Sequence, residues 1–381
     1  MQMNLQTRTI IPVITILVVI MIGLAVYNYE AQVSVLEDNA EATLKSALNT
    51  AQQSLDSNLN AYQQLAIIVA ASPTAEAAFA KGDRAGLLRE YGPAYKLLKE
   101  RFGLPSIKFD YPPATNFVRI HQPGTYGDDQ SEFRYTLVTA NKKFISVRGI
   151  EVGRVGIALR GVEPVSFKGK HIGSIEFGGD LGPALESTRA IFNAEVGVLI
   201  GKKTADMAKI FDELKGKMNA IGETYLLTNA TNPELIQKLL TPGILAEADR
   251  RLKDETGYFV TRTNYGDQDY FVGLRPLKDF SGATIGYLTV LMNQTAVVSK
   301  IRLTLFINML IYAALLILIS VAINFSLKKT VIGPVVNLTK VADDISMGKL
   351  SEKIEVSSND EIATLAKSID RLRLSVKKLL E

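Results

Sequence analysis

Two uninterrupted apolar stretches organise the chain. Residues 9–29 lie between Arg8 and Glu30 and residues 303–327 between Arg302 and Lys328, and neither stretch contains an ionisable side chain. Each reaches the roughly 20 residues that an α-helix needs to cross a hydrocarbon core of about 30 Å. The first could be a cleaved leader, but it is longer than the apolar part of a secretory signal and no small-x-small cleavage site follows it, so an uncleaved anchor is expected. The alternative for the second, a buried core helix, fits its length poorly. Pro12 falls near the start of the first span, where an early backbone donor lacks a partner anyway. Arg8 before the first span and Lys328 and Lys329 after the second place both termini in the cytoplasm, although Lys300 and Arg302 weaken the asymmetry. The expectation is a multi-pass protein of the cytoplasmic (inner) membrane, surrounded by lipid, with residues 30–302 outside.

Between the spans the periodicity changes twice. Residues 30–71 carry Leu44, Leu48, Ala51, Leu55, Leu59, Tyr62 and Leu65 at steps of three and four, which predicts one long helix continuing from the first span. Beyond Pro73, helices are predicted at 76–80 and 86–102, followed by strands at 107–110, 116–121, 144–151, 156–164 and 172–178. A helix at 183–192 opens a second block. That block has strands at 196–200, 224–227, 258–264, 268–277 and 285–292 and helices at 204–217 and 233–240. Residues 164–174 echo residues 276–287 with one residue inserted: in each a Pro ends a strand, a Gly turns, and an Ile-Gly pair starts the next strand. Gly-containing hairpins are common enough for chance, but the echo closes both blocks, which favours duplication of an α/β module.

After the second span the pattern is helical again. Val331, Leu338 and Ile345 recur every seven residues with Val341 and Ala342 between them, and Ile362, Leu365, Ile369, Leu372, Val376 and Leu379 form a heptad seam. Pro334 sits in the opening turn, Gly348 stops the first helix, and Leu350, Ile354 and Val356 are the apolar positions of the connector. Asn359 or Asp360 can cap the second helix, with Glu361 favourable beside its N-terminus. Two helices this short cannot bury such seams alone, so a homodimeric parallel four-helix bundle is expected. With Pro334, Gly348-Lys349-Leu350 and Asp360-Glu361-Ile362 in these places, the segment from 327 to about 380 resembles the HAMP signal-relay domain. In that reading Pro334, Gly348, Leu350 and Glu361 are the relay residues. Ala363 departs from the family's usual Gly and stiffens the junction. The heptads would normally continue past Glu381, so the sequence is either trimmed or that of a receptor working through a separate cytoplasmic partner.

Composition narrows the possible chemistry. With 381 residues, 47% of them hydrophobic, and a net charge of +4, the chain has room for several domains and no dense basic run to suggest nucleic acid. It has no cysteine, which excludes disulfides and thiolate sites, and no tryptophan, so an aromatic ligand box would rely on Tyr or Phe. With two histidines and no cysteine, no metal site is expected. No HExxH, Gly-x-Ser-x-Gly or other enzyme motif is present, and Gly201-Lys202-Lys203-Thr204 misses the phosphate-loop spacing. Neither an enzyme nor a cofactor is expected.

Within 117–178, Arg119-Ile120-His121, Tyr126-Gly127-Asp128-Asp129, Arg134, Asn141, Gly149-Ile150-Glu151-Val152-Gly153, Arg160-Gly161-Val162, Pro164 and Gly173-Ser174-Ile175-Glu176-Phe177-Gly178 resemble the double-Cache sensor family, in particular double Cache domain 3. The resemblance runs from the long helix to Gln294. It implies an α+β fold of two PAS-like modules stacked along a long helix, with a small ligand in the membrane-distal module. The expected division is a cytoplasmic N-terminus at 1–8, a first span at 9–29, a long helix at 30–71, a distal module at 72–185, a proximal module at 186–302, a second span at 303–327 and HAMP at 328–381.

The candidate ligand residues are Arg119, His121, Tyr126, Asp128, Arg134, Arg148, Glu151 and Arg160. Strand parity puts Phe117, Arg119 and His121 on one face and Val118 and Ile120 on the other. Arg119, His121, Arg134, Arg148 and Arg160, on or beside strands, suit a small anion such as a carboxylate, because a guanidinium presents paired donors to paired oxygens. The bland alternative is that these cations are solvated or paired with Asp128, Asp129, Glu151 and Glu163. Tyr126, Asp128, Asp129 and Glu151 could instead hold an amine. The expected function is a receptor that relays a ligand-induced shift through the second span to HAMP, first as the input half of a chemotaxis transducer, otherwise of a histidine kinase or nucleotide cyclase, or as a membrane-anchored binding protein with a separate output partner.

Overall fold

The computed structural model describes residues 5–380 apart from 103, 105, 211, 213–215, 217, 254–255, 352 and 355–359. The chain divides into two compact units, Leu36–Val298 and a second formed by Met1–Val35 with Ser299–Glu381.

The first unit is built on two antiparallel sheets. Helix α1 (Leu5–Ala70) is one helix of 66 residues, as its stripe predicts. Leu44, Leu48, Ala51 and Leu55 along it are fully buried, each leucine contributing roughly 1.5–3 kcal/mol. Helices α2 (Pro73–Ala80) and α3 (Arg84–Phe102) follow, the first capped by Ser72. The first sheet then takes strands β1 (Ser106–Tyr111), β2 (Thr115–Arg119), β3 (Val147–Gly153), β4 (Gly156–Phe167) and β5 (Lys170–Gly179) in the order β2-β1-β5-β4-β3. One face packs on the helices: Ala66, Ala70, Phe79, Leu87, Ile107, Phe109, Val118, Ile175 and Phe177 form one apolar cluster. Gly161 permits that approach, because a Cβ there would overlap the Tyr62–Gln63 peptide of α1.

The second sheet takes β6 (Glu195–Gly201), β7 (Asn219–Ile221), β8 (Tyr225–Ala230), β9 (Phe259–Tyr265), β10 (Gln268–Lys278) and β11 (Thr284–Asn293) in the order β7-β8-β6-β11-β10-β9. Leu44 and Leu48 of α1 lie against Gly273 of β10. Helices α5 (Gly182–Phe192), α6 (Lys202–Met207), α7 (Pro233–Leu239) and α8 (Pro242–Arg251) complete this part; Ile236, Leu239, Leu245 and Ala248 seal the core with Val272, Leu274 and Leu291.

Four local expectations need correction. A helix, α4 (Tyr135–Lys143), stands ahead of β3, and the strand expected from 144 begins at Val147, because Phe144 adopts a left-handed conformation (φ 55°) that closes the helix. Strand β7 and helix α8 lack a long apolar period and were not expected. The helix expected over 204–217 is α6, shifted to Lys202–Met207; residues 211, 213–215 and 217 of that range lie outside the described residues. Strand parity fails at Phe117: Phe109 pairs with Val118 but Asp110 pairs with Asn116, so Phe117 is a bulge residue and joins Val118 in the core.

Among the described residues of the second unit, two helices are long and apolar enough to cross a membrane, one within α1 and one within α9 (Thr295–Leu327). Asn28 Nδ2 donates to Tyr312 Oη between them at 2.7 Å. A wider turn at Lys328–Ile332 leads to α10 (Gly333–Ser346), which has Pro334 in its first turn. Gly348 takes φ 84° and its N–H reaches Ile345 O, ending the helix. Leu350 and Ile354 pack with Leu338, Ile345, Ile362, Ala366 and Ile369. Helix α11 (Glu361–Leu380) is capped by Asp360, whose Oδ1 accepts from Ala363 N. Val356 and Asn359 lie outside the described residues.

Candidate functional site

The register of the first sheet defines a polar chamber on the face away from α1. Lys108 pairs with Glu176 and with Arg119, Arg160 with Gly178, and Glu151 with Ala158, and directly opposed residues share a face. Ile107, Phe109, Ile175 and Phe177 alternate to the helix side, leaving Lys108, Asp110 and Glu176 on the chamber side. A cavity of about 840 Å³ opens there, lined among others by Lys108, Arg119, His121, Asp128, Gln130, Arg134, Arg154, Arg160 and Glu176. Asp180, Met218, Thr228 and Asn229, beyond the end of the first sheet, also line it.

Glu176 is the hub. It is fully buried and accepts a hydrogen bond from Arg134 Nη2, another from Arg160 Nη1 at 3.2 Å, and lies 3.8 Å from Lys108 Nζ. Burial alone would raise its pKa, but Arg134, Lys108 and Arg160 outweigh burial and hold the carboxyl far below its usual range. Burial likewise opposes the charge on Arg134, yet Glu176 and Glu151 override it and fix the guanidinium as a cation. Glu151 bonds Arg134 Nε at 2.8 Å and also caps α4, accepting from Thr136 N at 2.8 Å, where a helix N-terminus favours negative charge. Lys108 donates to Gln130 Oε1 at 2.8 Å; burial, reinforced by Arg134, lowers its pKa to about 8.

Arg160 is less well compensated. It is 7% exposed, burial and the neighbouring Arg134 both push its pKa down, and its Nε has no hydrogen-bond partner among the described residues. At the rim Arg119 makes a two-pronged contact with Asp128, both N···O distances 2.8 Å, and its hydrogen bond holds that carboxyl below the usual range. His121 Nδ1 donates to Ile107 O at 3.1 Å, and burial lowers its pKa, so it brings a neutral ring rather than a cation.

Of the eight candidates, Arg119, His121, Asp128, Arg134 and Arg160 line the cavity. Glu151 stands behind it, holding Arg134. Arg148 is a correction: it pairs with Gly161 on the opposite face and donates to Gln63 of α1 at 3.0 Å. Tyr126 is another; it is half exposed, off the cavity wall, with the Arg84 guanidinium 3.5 Å from its ring centre. The candidate amine set is not assembled either. Asp129 bonds Ser131, while Asp128 and Glu151 hold Arg119 and Arg134. Lys108, Asp110, Glu176 and Arg154 are chamber residues beyond the eight candidates. The signal for three of them was the charge alternating with apolar residues in Ile107-Lys108-Phe109-Asp110 and Ile175-Glu176-Phe177, which reads as one wet face on an interior strand.

Two PAS-like sheets beside one long helix, a charged chamber in the first, and a capped helical hairpin after an apolar helix define a sensory input region. Comparison with known proteins agrees. Residues 37–298, more than two thirds of the chain, match the family model dCache_3, a double sensory domain of two-component sensor kinases, and residues 327–378 match the HAMP domain. The chain belongs to the double-Cache domain 3 family and carries a HAMP domain. No curated protein matches it. Among solved structures, the sensory domain of the Campylobacter jejuni chemoreceptor Tlp3 with isoleucine bound is similar at 10% identity, over 70% of this chain and 96% of that one, with a TM-score of 0.41. The sensor domain of the V. cholerae histidine kinase DctB is similar at 12% identity over 68% and 97%, with a TM-score of 0.40.

Proposed function

We propose that this chain is the input and transmission part of a receptor in the cytoplasmic membrane, with residues 30–302 outside, and that its distal chamber binds a small carboxylate. The observation that carries this reading is Arg160, a buried and under-compensated guanidinium on the cavity wall. Lys108, Arg119, Arg134, Arg154 and Arg160 line the cavity with Asp128, Glu176 and Asp180, while Asp110 and Glu151 pair with Lys108 and Arg134 from behind, so that Arg160 has only a share of Glu176. A carboxylate that meets the part of the Arg160 guanidinium on the cavity wall gains charge-assisted hydrogen bonds in a desolvated site.

Ligand energy that differs between two states of the first unit is then relayed through the second span to HAMP. Homodimerisation supports that step. The hairpin covers Ile362, Ala366 and Ile369, while Leu365, Leu372 and Leu379 form an exposed seven-residue stripe that a second copy would bury. The output we favour is chemotaxis, through a cytoplasmic signalling partner or an output domain; the family's association with two-component kinases favours a histidine kinase as the second reading.

A thermal-shift screen of the chain in detergent, with small carboxylates set against primary amines, tests the ligand class. Stabilisation by a carboxylate that disappears in Arg160→Ala is the expected outcome. Stabilisation by amines alone would overturn it.

A further inference from the structure

The β10–β11 turn of the second sheet reaches the edge strand of the first. It is also where the internal echo carries its inserted residue. Asp279 organises the turn: its Oδ1 accepts from Ser281 N at 2.8 Å and Ala283 N at 3.1 Å, and its N–H bonds Ala283 O. Phe280 N then donates to Ile150 O of β3 at 3.0 Å, adding one hydrogen bond to an edge strand. The Phe280 ring packs on the cluster of Ala114, Leu137, Ala140, Val147 and Val162. Opposite it, Gly149 (φ 155°) leaves room for this contact, because a Cβ there would overlap the Phe280 Cα and Cβ.

Both sides of the contact lead somewhere. Ile150 precedes Glu151, and Leu137 and Ala140 lie on α4; Glu151 binds Arg134 and caps α4, so the chamber's ion pairs are bonded to both surfaces touching Phe280. On the other side, β11 runs from Thr284 to Asn293, two residues before α9, which contains the second apolar segment. Thr295 Oγ1 accepts from Asp269 N at 2.9 Å, tying the start of α9 to β10.

We propose that the turn at 279–283 couples the state of the distal chamber to β11 and α9, with Phe280 as its positioning residue. The proposal rests on the reading that the distal chamber is the sensing site. Its test needs no ligand, so the two fail separately. A contiguous run of hydrogen bonds and packed side chains, here from Glu151 and α4 through Ile150 to Phe280, is the kind of path along which coupling travels.

Hydrogen exchange of the full chain in lipid nanodiscs is compared for the unaltered protein and Glu151→Gln, which perturbs the chamber from within. Faster exchange is expected in β3 and in β11. In Phe280→Ala the β3 response to Glu151→Gln is retained and the β11 response falls by at least about five-fold, the lower range of ordinary site-to-site coupling. Phe280→Leu restores it. Gly149→Ala, which forces the turn away with Phe280 intact, abolishes it too. A β11 response that persists in Phe280→Ala and Gly149→Ala, or is absent in the unaltered background, overturns the proposal and leaves α1 as the path between the sheets.

Discussion

The two sheets of the sensory unit are each closed by antiparallel strands and flanked by short helices, yet they put opposite materials on corresponding faces. The first presents Lys108, Arg134, Arg160 and Glu176 to a cavity, all buried. The second is sealed by α7 and α8 with leucines and isoleucines, and its main polar feature there is Asp249 accepting from Tyr225 Oη at 2.5 Å and Tyr287 Oη at 2.7 Å. Burying several charges is tolerable only where they compensate one another, and costs stability that an apolar core would not. A module that bears this cost has a use for the charges. The other is a filled body suited to transmitting a displacement.

The largest effect expected from breaking this contrast is at the hub. Glu176→Ala leaves Arg134, Lys108 and Arg160 without their shared anion and should destabilise the sensory unit by about 3–5 kcal/mol, measured by chemical denaturation. Smaller is the loss at Arg160: Arg160→Ala should weaken carboxylate binding by about 30-fold or more with the fold retained, checked by titration calorimetry and circular dichroism.

A pH dependence follows from Lys108. Its pKa is about 8 in the folded chain against the ordinary 10.5, so the folded state releases its proton first. Stability therefore gains from this group as pH rises from about 8 towards 10.5, because the unfolded state then binds more protons. Carboxylate affinity should fall over the same window as the cation is lost, and Lys108→Met should flatten both trends. The smallest effect lies in the second sheet: Tyr287→Phe removes one hydrogen bond to Asp249, costs about 1 kcal/mol by thermal melting, and leaves ligand affinity unchanged.

Much of this contrast was legible in the sequence, and what was hidden has physical causes. The long helix and the HAMP hairpin announced themselves because their apolar periods run for many turns. Helix α4 covers only nine residues, and its neighbour Phe144 looks like a strand residue until the chain is seen to turn left-handed there. Arg119, Arg134 and Arg160 could be found as cations beside strands. Arg148 could not be told from them, because the face it occupies depends on the β3–β4 register, which nothing local specifies. Glu176, the centre of the network, resembled any charge in a strand until Arg134, forty-two residues earlier, was brought against it.

The most direct test of the account is calorimetric titration of the full chain in nanodiscs with the strongest carboxylate from the screen, run side by side on the unaltered protein, Arg160→Ala and Arg148→Ala. The expected result is binding weakened by about 30-fold or more in Arg160→Ala and unchanged in Arg148→Ala, whose side chain lies on the other face of the same sheet. Equal affinity in all three proteins would contradict it, because the ligand would then bind elsewhere than the charged chamber.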